Sequence, residues 1–335
     1  MLAGTSAFLT ASPLSIDNNP PMEPPKLLIG GAVFNYQYTD TPEATPVAEI
    51  LDKALANPLT AGIDTSPYYG PSEQLIGDAL RQLNRDRLTY FLATKAGRIA
   101  LDDFDYSAAA IRALVLRSCQ RLNTDFFDII YLHDVEFVDD AGVDEAIGEL
   151  FELKAAGYIR NVGILGYPVP LLVEICQRWH AKGKLIDAVQ LYCNGCIQNT
   201  TLFDLVPKFK EAGVKYVFNS LILSMSLLRR QPTHKFHPAS TQLKQRIDDV
   251  AQKLYTENQQ ELADVATRYA LSRSFADDSG IDAVNLGVLL VAELDNAIAE
   301  YQRRRDDPEV YAKVQLWIGD QMNVTWDSGR VRGRG

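Results

Sequence analysis

Apolar positions follow two different periods along this chain. Short apolar runs, typical of buried strands, are separated by longer segments in which apolar residues recur every three or four positions, as on one face of a helix. Strands that alternate with helices in this way indicate a parallel sheet joined by right-handed crossovers. The predicted strands are residues 26–33, 61–65, 89–94, 127–132, 161–164, 187–191, 214–219 and 283–287.

Capping residues and glycines set the bounds of the predicted helices. Thr45 caps the first helix, with Pro46 at its first helical position, and Ser107 caps a third helix that stops at Asn123. Glycine is the expected residue just past a helix, where the backbone turns left-handed. Further helices are predicted to start at Pro71 and to span Val143–Ala156, Val169–Lys182 and Thr201–Ala212, the last three followed by Gly157, Gly183 and Gly213.

The repeated strand–helix unit over 335 residues favours an α/β fold of the (β/α)₈ TIM-barrel type, as a single domain. A doubly wound dinucleotide-binding sheet is disfavoured, because no G-x-G-x-x-G motif follows the first strand. We expect an irregular N-terminal extension at 1–25, the barrel at 26–310 and a C-terminal tail at 311–335. Such a tail is expected to fold over the barrel mouth only by family resemblance.

Charge and composition exclude several classes of function. The net charge of −10 disfavours nucleic-acid and anionic-membrane partners, and no apolar run approaches the roughly 18 residues of a membrane span. Because the N-terminal segment lacks a basic region, a cytoplasmic protein is expected. The pair Cys193 and Cys196 lacks the second ligand pair of a metal site, so buried thiols and no metal are expected.

Four chemically complementary residues follow predicted strands two, three and four: Asp64, Tyr69, Lys95 and His133. Active sites of such barrels lie at the carboxyl ends of the strands. A tyrosine has a pKa near 10, which an adjacent ammonium lowers, while a carboxylate holds that ammonium and a histidine orients a substrate oxygen. Singly, each residue has an ordinary structural interpretation. Together, they favour a site that polarises a carbonyl while a cofactor delivers hydride, or the reverse oxidation.

Several stretches carry a family resemblance. The sequence is similar to the aldo-keto reductase superfamily, and most similar to its D-arabinose 1-dehydrogenase and L-galactose dehydrogenase branch, over roughly residues 26–300. The matching stretches are 30–38 (GGAVFNYQY), 62–73 (GIDTSPYYGPSE), 93–99 (ATKAGRI), 104–107 (FDYS), 125–138 (DFFDIIYLHDVEFV) and 161–170 (NVGILGYPVP).

The resemblance implies a role for each matched residue. Tyr69 is the general acid/base, Asp64 and Lys95 tune it, and His133 orients the substrate. The implied cofactor-binding residues are Gly30, Gly31, Gln190, Ser220, Gly287 and Glu293, and the implied substrate-binding residues are Phe34, Asn35 and His133. The implied reaction is NAD(P)-dependent oxidation of an aldose at C1 to its lactone, or reduction of a carbonyl. The protein is expected to act on a small sugar or carbonyl compound as a monomer or weak homodimer.

Three loops depart from the family pattern. Leucine stands at Leu165, Leu221 and Leu289, where the branch has small polar residues. Each cofactor group left without a partner costs about 1–3 kcal/mol. A catalytically impaired regulatory barrel that still binds cofactor is therefore an alternative. Another is a pyridoxal or secondary-metabolite carbonyl reductase of the same superfamily.

Glu293 bears on the choice of cofactor. It stands where NADP-preferring members often carry an arginine for the 2′-phosphate, and an anion there repels a phosphate. The sequence therefore favours NAD over NADP.

Overall fold

Eight parallel strands close into one barrel in sequence order. The computed structural model describes residues 21–303 and 306–329, so most of the predicted N-terminal extension and the last six residues lie outside the described part. The strands are β1 Leu27–Gly30, β2 Gly62–Asp64, β3 Phe91–Ala96, β4 Phe127–His133, β5 Ile159–Gly166, β6 Ala188–Tyr192, β7 Tyr216–Ser220 and β8 Ala283–Leu286. The predicted (β/α)₈ barrel is confirmed.

The first predicted strand was too long. β1 ends at Gly30, and Gly31–Val33 forms a 3₁₀ turn. The reason lies in the Gly31 carbonyl, which accepts hydrogen bonds from the Phe34 amide at 3.0 Å and the Ser72 hydroxyl at 2.8 Å and does not continue the ladder. The fifth strand, predicted over 161–164, is longer than expected because it pairs with β4 as far as Leu165, opposite His133.

Helices surround the barrel. They are α1 Val47–Leu55, α2 Ser72–Leu83, α3 Ala108–Leu122, α4 Asp140–Ala155, α5 Val169–Ala181, α6 Thr201–Glu211, α7 Thr241–Asn258, α8 Leu262–Ser274, α9 Val291–Arg303 and α10 Pro308–Ile318. The glycine stops are confirmed, since Gly157, Gly183 and Gly213 have φ of +83°, +75° and +82°. The Ser107 cap is confirmed as well, because its hydroxyl accepts from the Ala110 amide at 3.3 Å.

Two predicted helix starts were wrong. Thr45 closes a short 3₁₀ turn at 42–44, and Pro46 is the cap residue of α1, without a side-chain bond. The fourth helix starts at Asp140 rather than Val143, because Asp139 accepts a hydrogen bond from the Gly142 amide at 2.8 Å and caps the helix earlier.

Apolar side chains fill the barrel and the layer outside it. Phe91 on β3 and Phe218 on β7 meet inside the barrel, with ring centroids 6.4 Å apart. A larger cluster joins the outer faces of the strands to the surrounding helices. This packing leaves the carboxyl ends of the strands as a rigid rim for polar residues.

The C-terminal part of the chain returns to the barrel. Helix α10 crosses the predicted boundary at residue 310 and shares an apolar cluster with α7 and α8. Residues 323–329, called here the C-terminal strap, then run back across the barrel mouth. The Asn323 amide donates to the Gln198 carbonyl at 2.9 Å, and Gln198 Nε2 donates to the Val324 carbonyl at 3.1 Å. No helix in the described ranges is long and apolar enough to cross a membrane.

Candidate active site

A cavity of about 330 Å³ opens at the carboxyl ends of the strands. Asp64, Tyr69 and His133 line it, and Lys95 lies fully buried directly behind Asp64. The structure therefore brings together the four residues singled out in the sequence. They come from three neighbouring strands and the loops that follow them, as the order of the barrel requires.

Buried polar groups form a chain across the cavity floor. Lys95 Nζ donates to Asp64 Oδ1 at 2.6 Å and to the Thr65 carbonyl at 2.8 Å. Gln190 Nε2 donates to Ser220 Oγ at 2.8 Å and approaches Asp64 Oδ1 at 3.4 Å. The lysine charge is thus matched by a buried carboxylate, and the pair is fixed by further hydrogen bonds.

The Tyr69 ring lies beside this pair. Lys95 Nζ is 4.8 Å from the Tyr69 ring centroid. Desolvation in the cavity raises the pKa of Tyr69 well above its ordinary value, and the charges of Asp64 and Asp134 raise it further. In the protein without ligand, the nearby ammonium of Lys95 does not bring this pKa below its ordinary value, since desolvation is the largest influence on it. Tyr69 is a protonated phenol in this state and can donate its proton to a carbonyl oxygen.

His133 is held on two sides. Its Nδ1 lies 3.0 Å from the Ser66 hydroxyl, and its carbonyl accepts from the Tyr106 hydroxyl at 2.7 Å. Burial, with the charges of Lys95 and Arg98, lowers the pKa of His133 well below its ordinary value. The ring is therefore neutral near pH 7 and stands edge-on to Tyr69, with centroids 5.6 Å apart.

An ion pair that the sequence analysis did not single out borders the same cavity. Arg98 pairs with Asp134, and its guanidinium lies 4.0 Å from the Tyr68 ring centroid. Both residues lie next to motifs that the sequence analysis used, since Arg98 follows the Lys95 motif and Asp134 directly follows His133. Their ion pair could not be predicted from the sequence, because it joins two separate loops.

The predicted cofactor residues divide into two groups. Gly30, Gln190, Ser220 and Gly287 line the cavity. Gly31 does not, because it packs against α2, where a Cβ would lie 2.5 Å from the Ser72 hydroxyl.

Glu293 also lies away from the cavity wall. Its carboxylate caps the start of α9 by accepting from the amides of Leu289 at 2.7 Å and Leu290 at 3.1 Å.

The predicted substrate residues after β1 lie behind the cavity wall. Phe34 is fully buried in the core outside the barrel, and Asn35 is buried with its amide directed to Gln37 at 3.4 Å. Gln37 and Tyr38 face the cavity in their place. The 3₁₀ turn after β1 changes the direction of this loop. No local sequence pattern predicted that turn.

The three leucines that differ from the expected family pattern also occupy different positions. Leu165 lies on the cavity wall next to His133 and Gln190 in the sheet register, and Leu221 lines the cavity with a left-handed φ of 51°. Leu289 instead offers its backbone to Glu293. Two of the three leucines therefore lie on the cavity wall itself.

The C-terminal strap completes the cavity. Trp326, Asp327 and Ser328 line it, and the Trp326 ring stacks on Tyr167 with centroids 4.6 Å apart. The Ser328 hydroxyl donates to Glu136 Oε1 at 2.9 Å.

The cysteines lie apart from this chemistry. All four are free thiols, and both members of the Cys193/Cys196 pair are fully buried. Burial raises the pKa of Cys196 to about 11, which disfavours the reactive thiolate. Within residues 21–303 and 306–329, no cluster of three metal-ligating side chains occurs.

Comparison with known proteins identifies the family. The model of the aldo/keto reductase family matches residues 26–315. The chain belongs to the aldo/keto reductase family. It is 45% identical to D-arabinose 1-dehydrogenase of Saccharomyces cerevisiae over 90% of this chain and 93% of that protein. It is 34% identical to L-galactose dehydrogenase of Arabidopsis thaliana over 85% of this chain and 89% of that protein.

A solved structure agrees at the level of the fold. An aldo-keto reductase of Pseudomonas aeruginosa superposes with a TM-score of 0.59 at 23% identity, over 83% of this chain and 90% of that one.

Proposed function

We propose that this aldo/keto reductase is an NAD-dependent aldose 1-dehydrogenase, with Tyr69 as its proton-transfer residue. The main observation in support of this proposal is that the buried Asp64–Lys95 pair lies beside Tyr69 and His133 at one cavity. The similarity over nearly the whole chain to a D-arabinose 1-dehydrogenase and an L-galactose dehydrogenase supports an aldose as substrate.

The cavity fits a nicotinamide group. Four buried acceptors of residues that line it, Asp64 Oδ2, Asp134 Oδ1, Gln190 Oε1 and Asn285 Oδ1, have no hydrogen-bond partner among the described residues. A carboxamide supplies such donors, so Gln190 with Ser220, Gly30 and Gly287 would hold the cofactor. The cofactor would supply the hydride chemistry there, with NAD⁺ as hydride acceptor for oxidation and NADH as hydride donor for reduction.

The protein residues handle the proton and the orientation. In reduction, the protonated Tyr69 donates its hydrogen to the carbonyl oxygen, and in oxidation the phenolate accepts the C1 hydroxyl proton. His133 orients the same oxygen by a hydrogen bond. Because the pKa of Tyr69 is raised, oxidation gains from high pH and reduction proceeds directly at neutral pH.

The preference for NAD rests on Glu293. Its carboxylate occupies the amides that precede α9, and a 2′-phosphate brought near this position meets a like charge instead of free donors.

The proposal is tested by following NADH formation spectrophotometrically with D-arabinose and L-galactose. We expect turnover that rises with pH, and a loss of at least about a hundredfold in Tyr69→Phe, since general acid–base catalysis contributes about 10²–10⁴-fold. Tyr90→Phe is the matched control, because Tyr90 is buried outside the cavity. Unchanged turnover in Tyr69→Phe contradicts the mechanism. Tight NADH binding without turnover of any aldose or aldehyde supports the regulatory barrel instead.

A further inference from the structure

The two nitrogens of His133 meet different surroundings. Nδ1 lies 3.0 Å from the Ser66 hydroxyl, whereas Nε2 has no hydrogen-bond partner among the described residues and lies 3.7 Å from Asp134 Oδ2. The groups around the ring determine which of its two nitrogens carries the hydrogen. They therefore also determine whether the ring presents a hydrogen-bond donor or an acceptor to the cavity.

The Ser66 hydroxyl has a defined direction. It accepts a hydrogen bond from the Tyr68 amide at 3.1 Å and is fully buried. A buried hydroxyl hydrogen needs an acceptor, and the remaining neighbour within hydrogen-bonding distance is His133 Nδ1. Ser66 therefore donates to Nδ1, which leaves the single hydrogen of the neutral ring on Nε2.

Asp134 acts on the other edge of the ring. It has a left-handed backbone, with φ of 61°, and its Oδ2 lies 3.7 Å from Nε2 of the preceding histidine. Arg98 binds the same carboxylate oxygen and fixes it there. A negative charge near Nε2 favours a hydrogen on that nitrogen over a bare lone pair.

We propose that Ser66 and Asp134 are positioning residues that fix His133 as the neutral tautomer with its hydrogen on Nε2, so that His133 donates to the reacting substrate oxygen. The role in catalysis rests on the proposed function, whereas the tautomer is a property of the protein without substrate. The proposal explains why a neutral histidine, as its low pKa requires, can still polarise a carbonyl.

The tautomer can be read directly by NMR. The chain has four histidines, so long-range ¹H–¹⁵N spectra of ¹⁵N-histidine-labelled protein are simple, and His133→Gln assigns the His133 signals. We expect a protonated Nε2 and an unprotonated Nδ1 in the unliganded protein at pH 7. A hydrogen on Nδ1 overturns the proposal, whether or not the protein turns over aldoses.

Removing the Ser66 donor tests its contribution. In Ser66→Ala we expect the two tautomers to mix and kcat for aldehyde reduction to fall about tenfold, while the Kd for NADH stays within about twofold. In Ser66→Thr, which keeps a hydroxyl, the tautomer is expected to return. Ser118→Ala is the control, because Ser118 is an equally buried serine in α3.

The outcomes separate the two hypotheses. A wild-type tautomer in Ser66→Ala overturns the role of Ser66, and an unshifted Nε2 signal in Asp134→Asn overturns that of Asp134. The expected tautomer in a protein that turns over no aldose and no aldehyde contradicts the proposed function and leaves this inference intact.

Discussion

Glu136 is a buried carboxyl group beside the cavity whose environment disfavours its charge. Its Oε1 accepts from the Tyr167 amide at 3.0 Å and from Ser328, while its Oε2 is buried without a partner among the described residues. Burial and the nearby charge of Asp134 raise the pKa of Glu136 from 4.5 to about 7. The folded protein therefore holds this proton more tightly than the unfolded chain does.

This residue makes stability depend on pH in a defined direction. A raised carboxyl pKa contributes stability that is complete below 4.5 and is lost as the pH rises through about 7. Each pKa unit corresponds to about 1.4 kcal/mol. We expect the free energy of unfolding of the wild type to fall by on the order of 2–3 kcal/mol relative to Glu136→Gln between pH 5 and pH 8.

Urea unfolding at several pH values measures this difference. The variant Glu174→Gln serves as control, since it makes the same substitution at an exposed glutamate on α5. Parallel pH curves for the wild type and Glu136→Gln would contradict the assigned environment.

Single residues differ in how far the sequence predicts them. The order and spacing of Asp64, Lys95 and His133 place them at strand ends, so their meeting follows from the barrel alone. The role of Ser66 does not follow, because it depends on which way a hydroxyl points. The raised pKa of Tyr69 does not follow from the sequence either, because its largest cause is burial in the folded cavity, followed by the charges of Asp64 and Asp134.

At the level of elements, backbone chemistry explains which bounds could be predicted. Glycines with positive φ end α4, α5 and α6 as expected, because few other residues adopt that conformation without strain. The 3₁₀ turn after β1 could not be predicted, since it is fixed by the Ser72 hydroxyl from a distant helix. That turn is also why Gln37 and Tyr38, and not Phe34, face the cavity.

The start of α9 is the element on which cofactor choice is expected to depend. Glu293→Gln keeps an acceptor for the Leu289 and Leu290 amides and removes the charge, whereas Glu293→Arg introduces a cation for a 2′-phosphate. We expect the preference for NADH over NADPH to fall about tenfold in Glu293→Gln and further in Glu293→Arg, since tenfold corresponds to about 1.4 kcal/mol.

Fluorescence titration with both nucleotides gives the two Kd values. Glu309→Gln is the matched control, because Glu309 is exposed in the first turn of the neighbouring α10. Equal ratios of the two Kd values in all four proteins would remove Glu293 from cofactor selection.

At the scale of the whole molecule, closure of the barrel sets the site. The sheet register pairs Gly30 with Asp64 on one side and Leu165 with Gln190 on the other, so residues far apart in sequence share one rim. Hydrophobic periodicity predicts this closure, because it indicates eight strands that alternate with helices. It does not predict the return of the C-terminal strap, which depends on contacts such as Gln198 with Val324 and Trp326 with Tyr167.

The strap is expected to act as a wall of the substrate cavity rather than as part of the folding core. Trp326 covers Tyr167 and lies edge-on to His237 at 5.0 Å, so its loss opens the cavity to water. Aromatic pairs of this kind contribute about 0.5–1.5 kcal/mol, and water in the site weakens the hydrogen bonds to substrate. Trp326→Ala should therefore raise KM for the aldose about tenfold and lower the thermal midpoint by only a few degrees. Trp317→Ala, in α10 and outside the cavity, should leave KM unaltered. Steady-state kinetics of both variants give KM, and thermal unfolding gives the thermal midpoint. An equal effect of the two substitutions on KM would show that the strap does not contact substrate.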